Sequence, residues 1–141
     1  MIDFLVFLHI LGALSTGFYL LLPFIAGKLA SWDGSSQSGA IHIIRVLNRI
    51  AQFGLVVQLL TGGYLMTKGD YSIAWMTIVV VLLLAIAALG GIMGKPLRLA
   101  LVDIQQSKDI AAHTGKIRSL GLGLAVCLLL MSFFMVYRHL I

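Results

Sequence analysis

Acidic side chains are scarce in this sequence, which has no glutamate and only five aspartates among its 141 residues. None of the aspartates lies in the middle of a long apolar stretch, so a carboxylate relay for protons across a membrane is excluded. A single cysteine, Cys127, rules out an intramolecular disulfide. The sequence also lacks the Gly-x-Ser-x-Gly, Walker and Cys-x-x-Cys motifs, which excludes the serine hydrolases, P-loop nucleotide-binding proteins and dithiol oxidoreductases that carry them.

Charged residues of either sign make up only 11% of the chain, whereas hydrophobic residues make up 60%. Soluble domains carry about 25% charged residues. The deficit is concentrated in four apolar stretches, each close to the roughly 20 residues that cross a bilayer. The first stretch, from Phe4 to Ile25, is too long for a signal peptide and has no basic residue before it, so we interpret it as a retained helix. The sequence predicts one all-α domain over residues 1–141, an integral membrane four-helix bundle with helices at about 4–26, 41–66, 73–93 and 117–137.

The distribution of lysine and arginine predicts the orientation of this bundle. The two long connections and the helix ends beside them contain eight of the ten basic residues, namely Lys28, Arg45, Arg49, Lys95, Arg98, Lys108, Lys116 and Arg118. The opposite side has only Lys68 and Arg138. Because cytoplasmic loops carry the excess of lysine and arginine, both termini are expected outside the cytoplasm, in a multi-pass protein of the plasma (inner) membrane. The net charge of +5 comes from basic residues in short loops beside the apolar segments, which is the pattern that membrane orientation produces. The expected partner is therefore the lipid bilayer, and nucleic acid is not expected to bind.

Small residues at helical spacing predict where the helices pack closely. They are Gly12, Ala13, Thr16 and Gly17 in the first helix, Ala87, Gly90, Gly91 and Gly94 in the third, and Gly121, Ala125 and Ser132 in the fourth. Gly91 is accordingly expected to face a neighbouring helix, and Leu83 to face lipid. In the second helix, the spacing of Arg45, Arg49 and Gln52 places these polar side chains on one face.

Proline and tryptophan add three local expectations. Pro23 is expected to bend the first helix near its cytoplasmic end. The segment Gly94-Lys95-Pro96 is expected to end the third helix, and the stretch after it is amphipathic enough to lie along the membrane surface. Trp75 is expected at the membrane interface, where tryptophan is enriched.

His9 is the candidate functional residue. It lies one turn before Gly12 and Ala13, on the side of the first helix that carries the small residues, so it is expected to face the bundle. A histidine inside a membrane is costly and marks a functional site by default. Its imidazole offers ligation of haem b or of a metal ion, or proton transfer. The alternative is an interhelical hydrogen bond that only fixes the first helix.

The other histidines give no second haem ligand. His42 and His113 are expected in water on the cytoplasmic side, and His139 lies on the small face at the outer end of the fourth helix. At 1.5 Å per residue, His9 and His139 differ in depth by about 8 Å, which is awkward for two axial ligands of one haem. Met135 is closer in depth to His9, but it is one of six methionines in an apolar composition.

The segment Leu8-His9-Ile10-Leu11-Gly12, with Phe18, Tyr19 and Pro23 after it, resembles the first helix of a group of small bacterial membrane proteins. The group includes the CopD-like copper-resistance domain, the HemJ-type protoporphyrinogen oxidases and related four-helix families. The resemblance implies a four-helix membrane fold and a haem- or metal-linked role for His9. The HemJ-type lysine that follows a tryptophan has no counterpart, since Met76, Thr77 and Ile78 follow Trp75.

Three functions follow as hypotheses. The first is a small polytopic membrane protein that binds haem or a metal through His9. The second is an accessory or assembly subunit of a larger membrane (respiratory) complex, packed against partner subunits or against copies of itself. The third is a HemJ-like protoporphyrinogen oxidase.

Overall fold

The structure is a computed structural model that describes residues 1–29 and 31–140. Its helices are α1 (Ile2–Ser15), α2 (Leu22–Leu29), α3 (Gly34–Met66), α4 (Ile73–Gln105) and α5 (Ala111–Val136), with short 3₁₀ turns at Gly17–Leu20 and Arg138–Leu140. Within these described residues, four segments are long and apolar enough to cross a membrane: α1 together with α2, then α3, α4 and α5. The prediction of an all-α, multi-pass four-helix bundle is confirmed.

The first membrane-spanning segment is broken in its middle. The hydroxyls of Ser15 and Thr16 donate to the carbonyls of Gly12 and Ala13, at 2.6 and 2.7 Å, and such bonds bend helices. Pro23 has no amide hydrogen to donate one turn back, and as the second residue of α2 it is placed where a new helix starts and that donor is not needed. The expected bend is therefore a full break, and it starts earlier in the chain than the position of Pro23 alone indicates.

This break lets the first segment cross the bundle diagonally. α1 packs against α3, whereas α2 and the 3₁₀ turn at Gly17–Leu20 pack against α5. α4 packs against both α3 and α5. We call the end with the first residues of α1 and the last of α5 the termini end, and the end with the α2–α3 and α4–α5 connections the basic end. At the termini end, α1 leans towards α3 and away from α5.

α4 continues well past the expected end near residue 93. Pro96 lies inside the helix and is buried, and α4 runs on to Gln105. Leu97 and Ala100 are fully buried and Leu101 nearly so, so tertiary packing holds the helix together beyond the proline. The amphipathic stretch expected to lie along the membrane surface is thus the last part of α4.

α3 likewise begins earlier than the expected residue 41, because Asp33 caps it. The amide of Ser36 donates to the Asp33 carboxylate at 2.8 Å, and this hydrogen bond lowers the pKa of Asp33. In the α4–α5 connection, His113 pairs with Asp103 at 2.8 Å, so it is not simply solvated as expected. His42 is exposed on α3, as expected.

The orientation can be tested with single cysteines in a Cys127→Ala background. Ser36 and Ser107 are exposed at the basic end, and the Lys and Arg count predicts that this end lies in the cytoplasm. Ser36→Cys and Ser107→Cys should resist an impermeant thiol reagent in intact cells and react after lysis. Asp70→Cys, in the exposed α3–α4 turn at the termini end, is the matched control and should react in intact cells. The reverse labelling pattern would invert the orientation.

Candidate functional site

His9 lies on α1 and reaches across to α3. Its Nδ1 is 2.9 Å from Oγ1 of Thr61, a buried residue. The Thr61 hydroxyl donates its own proton to the carbonyl of Val57 at 2.7 Å. Oγ1 can then only accept from the ring, so Nδ1 carries the proton and Nε2 keeps its lone pair. The sequence-based expectation that His9 has a partner inside the bundle agrees with this contact.

Glycines on α3 make room for this contact. A Cβ on Gly62 would lie 3.0 Å from Cε1 of His9. About two turns away along α3, a Cβ on Gly54 would lie 2.9 Å from the carbonyl oxygen of Gly12, and one on Gly12 would lie 2.7 Å from that of Gly54. The two backbones therefore touch at this point, and the crossing sets the distance between His9 and Thr61.

The imidazole of His9 forms part of the wall of a cavity of about 180 Å³ at the termini end. The cavity lies where α1 leans away from α5, and residues of α1, α3, α4 and α5 line it. Its wall is mostly apolar, and three of its side chains are thioethers: Met66, Met131 and Met135. The imidazole bonds Thr61 through Nδ1 and also lies against the backbone of Gln58. Within the described residues no buried side-chain nitrogen lacks a partner, so an Nε2 left free by these contacts is accessible.

Aromatic side chains and one guanidinium close the cavity towards the termini end. Tyr71 and Trp75 stack at 4.9 Å, and Arg138 donates to the Tyr71 hydroxyl at 3.3 Å. Trp75 is buried rather than lipid-facing, and its Nε1 donates to the carbonyl of Phe134 at 2.7 Å. That carbonyl is in the last turn of α5, where helical partners run out. The expected interfacial tryptophan therefore serves to join α4 to α5.

The remaining predicted candidates are not brought to this cavity. His139 is exposed in the turn after α5 and does not line it. Met135 does line the cavity together with His9, in agreement with the expectation that it lies closer in depth to His9 than His139 does. The described residues contain no group of three histidine, cysteine or acidic side chains that could hold a metal ion. Apart from His9, the side chains of this cavity that could act as ligands for a soft metal are its three methionines.

A buried polar network in the bundle centre was missed by the sequence reasoning. The hydroxyl of Tyr19 donates to Oδ1 of Asn48 at 2.6 Å, and Nδ2 of Asn48 donates to the carbonyl of Gly90 at 3.0 Å. Gln52 donates to the Tyr19 hydroxyl at 3.2 Å. These bonds tie the break in the first segment to α3 and α4. The sequence signal for such a network is Tyr19 in an apolar helix and the amides Asn48 and Gln52 beside the predicted polar face of α3.

The small residues of α4 that face another helix are not all the ones that were predicted to do so. Gly90 is buried against Tyr19, Asn48 and Gln52, as the small-residue stripe predicts. Gly91 and Gly94 are exposed, and a Cβ on either would meet nothing within 4 Å, so the expectation that Gly91 faces a helix is wrong. Leu83, expected to face lipid, is only 9% exposed and belongs to the core. Neighbouring residues point about 100° apart on a helix, and the true inward face is centred on Gly90.

Comparison with known proteins finds no family model, no curated protein and no solved structure that matches this chain.

Proposed function

We propose that this chain is a membrane protein that binds one soft metal ion, copper(I), through Nε2 of His9 inside the cavity at the termini end. The observation that carries the proposal is the coincidence of an accessible imidazole nitrogen with three thioethers in one small cavity. Thioether ligands select copper(I), and imidazole also binds copper. We place the protein in the plasma (inner) membrane of a bacterium, with this cavity on the non-cytoplasmic side.

The hydrogen bond to Thr61 supports this assignment. Metal-binding histidines almost always donate their other ring N–H to a protein group, which fixes the tautomer and the direction of the ring. His9 has this arrangement, because its Nδ1–H is directed at Thr61 and its Nε2 is left for a ligand. The same hydrogen bond also fits the alternative that His9 only fixes α1 against α3, and copper binding separates the two roles.

The size of the cavity favours a single ion over haem b. Pockets for drug-sized ligands measure about 300–1,000 Å³, and a haem macrocycle is at the large end of such ligands. The cavity of about 180 Å³ is below this range. The accessory-subunit and protoporphyrinogen-oxidase hypotheses rest on the sequence alone. Large proteins that copurify with the chain would favour the accessory-subunit hypothesis.

Copper binding by purified protein tests the proposal. We expect detergent-solubilised protein, loaded anaerobically with copper(I) against a chromophoric chelator, to retain stoichiometric copper. His9→Ala should abolish this retention while leaving the helical content intact. Thr61→Val, which removes the acceptor of the Nδ1–H, should weaken it about 10- to 100-fold.

Matched controls separate the site from general effects. His139→Ala removes a histidine at the same end that does not line the cavity, and should leave copper binding unchanged. Met131→Leu should weaken binding, whereas Met93→Leu removes a buried methionine elsewhere and should not. Wild-type protein without copper affinity would refute the metal proposal, and a Soret band lost in His9→Ala would replace it with haem.

A further inference from the structure

A groove of about 530 Å³ runs between α3 and α4, on the part of the bundle nearer the basic end. Arg45 and Arg49 line one end of it, and the apolar side chains of Phe53 and Val56 line the other. The α4 wall of the groove includes Gly91 and Gly94. Because these two residues have no side chain, the groove is deep at this point. The predicted polar face of α3 is thus one wall of an open groove with a charged end and an apolar end.

The two ends of the groove match two depths in the bilayer. The hydrocarbon core is about 30 Å thick, and a helix rises 1.5 Å per residue. Counted from Met66 at the termini end of α3, Phe53 lies about 20 Å down, Arg49 about 26 Å and Arg45 about 32 Å. With Met66 taken as the outer edge of the hydrocarbon, both arginines fall within about 4 Å of its other edge, at the headgroup boundary of the basic end, and the apolar end of the groove falls inside the hydrocarbon.

The charges at the headgroup boundary are uncompensated by the protein. Arg45 and Arg49 are both exposed, and no acidic residue lines the groove. Within the described part of the chain, neither guanidinium has an ion-pair partner. Arginine binds phosphate oxygens with paired N–H donors, and two arginines one helical turn apart can share one phosphodiester.

We propose that this groove binds an anionic glycerophospholipid of the leaflet at the basic end. The phosphodiester lies between Arg45 and Arg49, and one acyl chain follows the bare backbone at Gly91 and Gly94 towards Phe53 and Val56. A soluble anion would use the arginines but not the apolar end. Basic pockets between membrane helices on the cytoplasmic side are suited to anionic headgroups in this way.

Lipid titration of the purified chain in neutral detergent, read by native mass spectrometry, tests the proposal. Wild-type protein should bind phosphatidylglycerol more tightly than phosphatidylcholine with the same acyl chains. The double variant Arg45→Gln/Arg49→Gln should lose about tenfold or more in affinity for phosphatidylglycerol. The control Lys95→Gln/Arg98→Gln removes the same charge from exposed residues at the same end that do not line the groove, and should change the affinity less than about twofold.

A second variant tests the apolar half of the groove with both arginines intact. Gly91→Leu fills the groove from a position where a Cβ meets nothing within 4 Å, so it should weaken phosphatidylglycerol binding without lowering the thermal midpoint. Unchanged lipid binding in Gly91→Leu, or equal losses in the two charge variants, would overturn the proposal. Displacement of the lipid by millimolar inorganic phosphate would assign the arginines to a soluble anion and would also overturn it.

Discussion

Gly90→Leu should destabilise the bundle by about 3 kcal/mol or more, which is a large effect for one substitution. A Cβ at this position would lie 2.7 Å from the Tyr19 hydroxyl and would clash with the Gln52 amide. Overpacking alone typically costs about 1–3 kcal/mol. Here the displaced atoms are also hydrogen-bonded, so moving them leaves buried polar groups unpaired, at about 1–3 kcal/mol for each group.

The measurement is the thermal midpoint of unfolding in detergent, followed by circular dichroism. Gly91→Leu is the matched control, since it adds the same side chain one residue away into open space. We expect Gly90→Leu to unfold at a clearly lower temperature than wild type, and Gly91→Leu to unfold near the wild-type temperature. If the two variants had equal midpoints, the network around Tyr19 would not hold the bundle together.

The number and class of the helices could be predicted because hydropathy alone specifies them. Scarce charge and four long apolar stretches leave few alternatives to a membrane bundle. The ends of α3 and α4 could not be predicted, because both helices extend beyond the hydrocarbon at the basic end. There their residues alternate between burial and water, as for Leu97 and Arg98, and the apolar signal fades although the helix continues.

The site was predictable only in part. The direction of His9 followed from its spacing to Gly12, because both are on one helix. Its partner Thr61 did not, because the register of α1 against α3 depends on the contact between Gly12 and Gly54. A sequence shows which residues share a helix face, but not which residues of another helix they meet.

The crossing of α1 and α3 is the second place where one added atom should have a large effect. We expect Gly54→Ala to destabilise the protein by about 1–3 kcal/mol. The new Cβ would lie 2.9 Å from the Gly12 carbonyl oxygen and would clash with the Ser15 hydroxyl. Ser15 can rotate away, but the carbonyl is backbone, so α1 itself must shift. Alanine otherwise favours helices by up to about 1 kcal/mol over glycine, and Gly39→Ala, in open space on the same helix, should show this gain.

The shift of α1 should also move His9 at the cavity, about one turn from Gly12 on the same helix. His9 and Thr61 face each other only because Gly12 and Gly54 let the two backbones touch. Moving α1 outward lengthens the 2.9 Å contact between Nδ1 and Oγ1 and frees the imidazole to rotate. Gly54→Ala should therefore lower copper(I) affinity as Thr61→Val does, although its added atom touches no residue of the cavity, and Gly39→Ala, on the same helix but away from the cavity, should not. A Gly54→Ala protein with a lowered midpoint but full copper affinity would show that the crossing holds the fold without positioning the histidine.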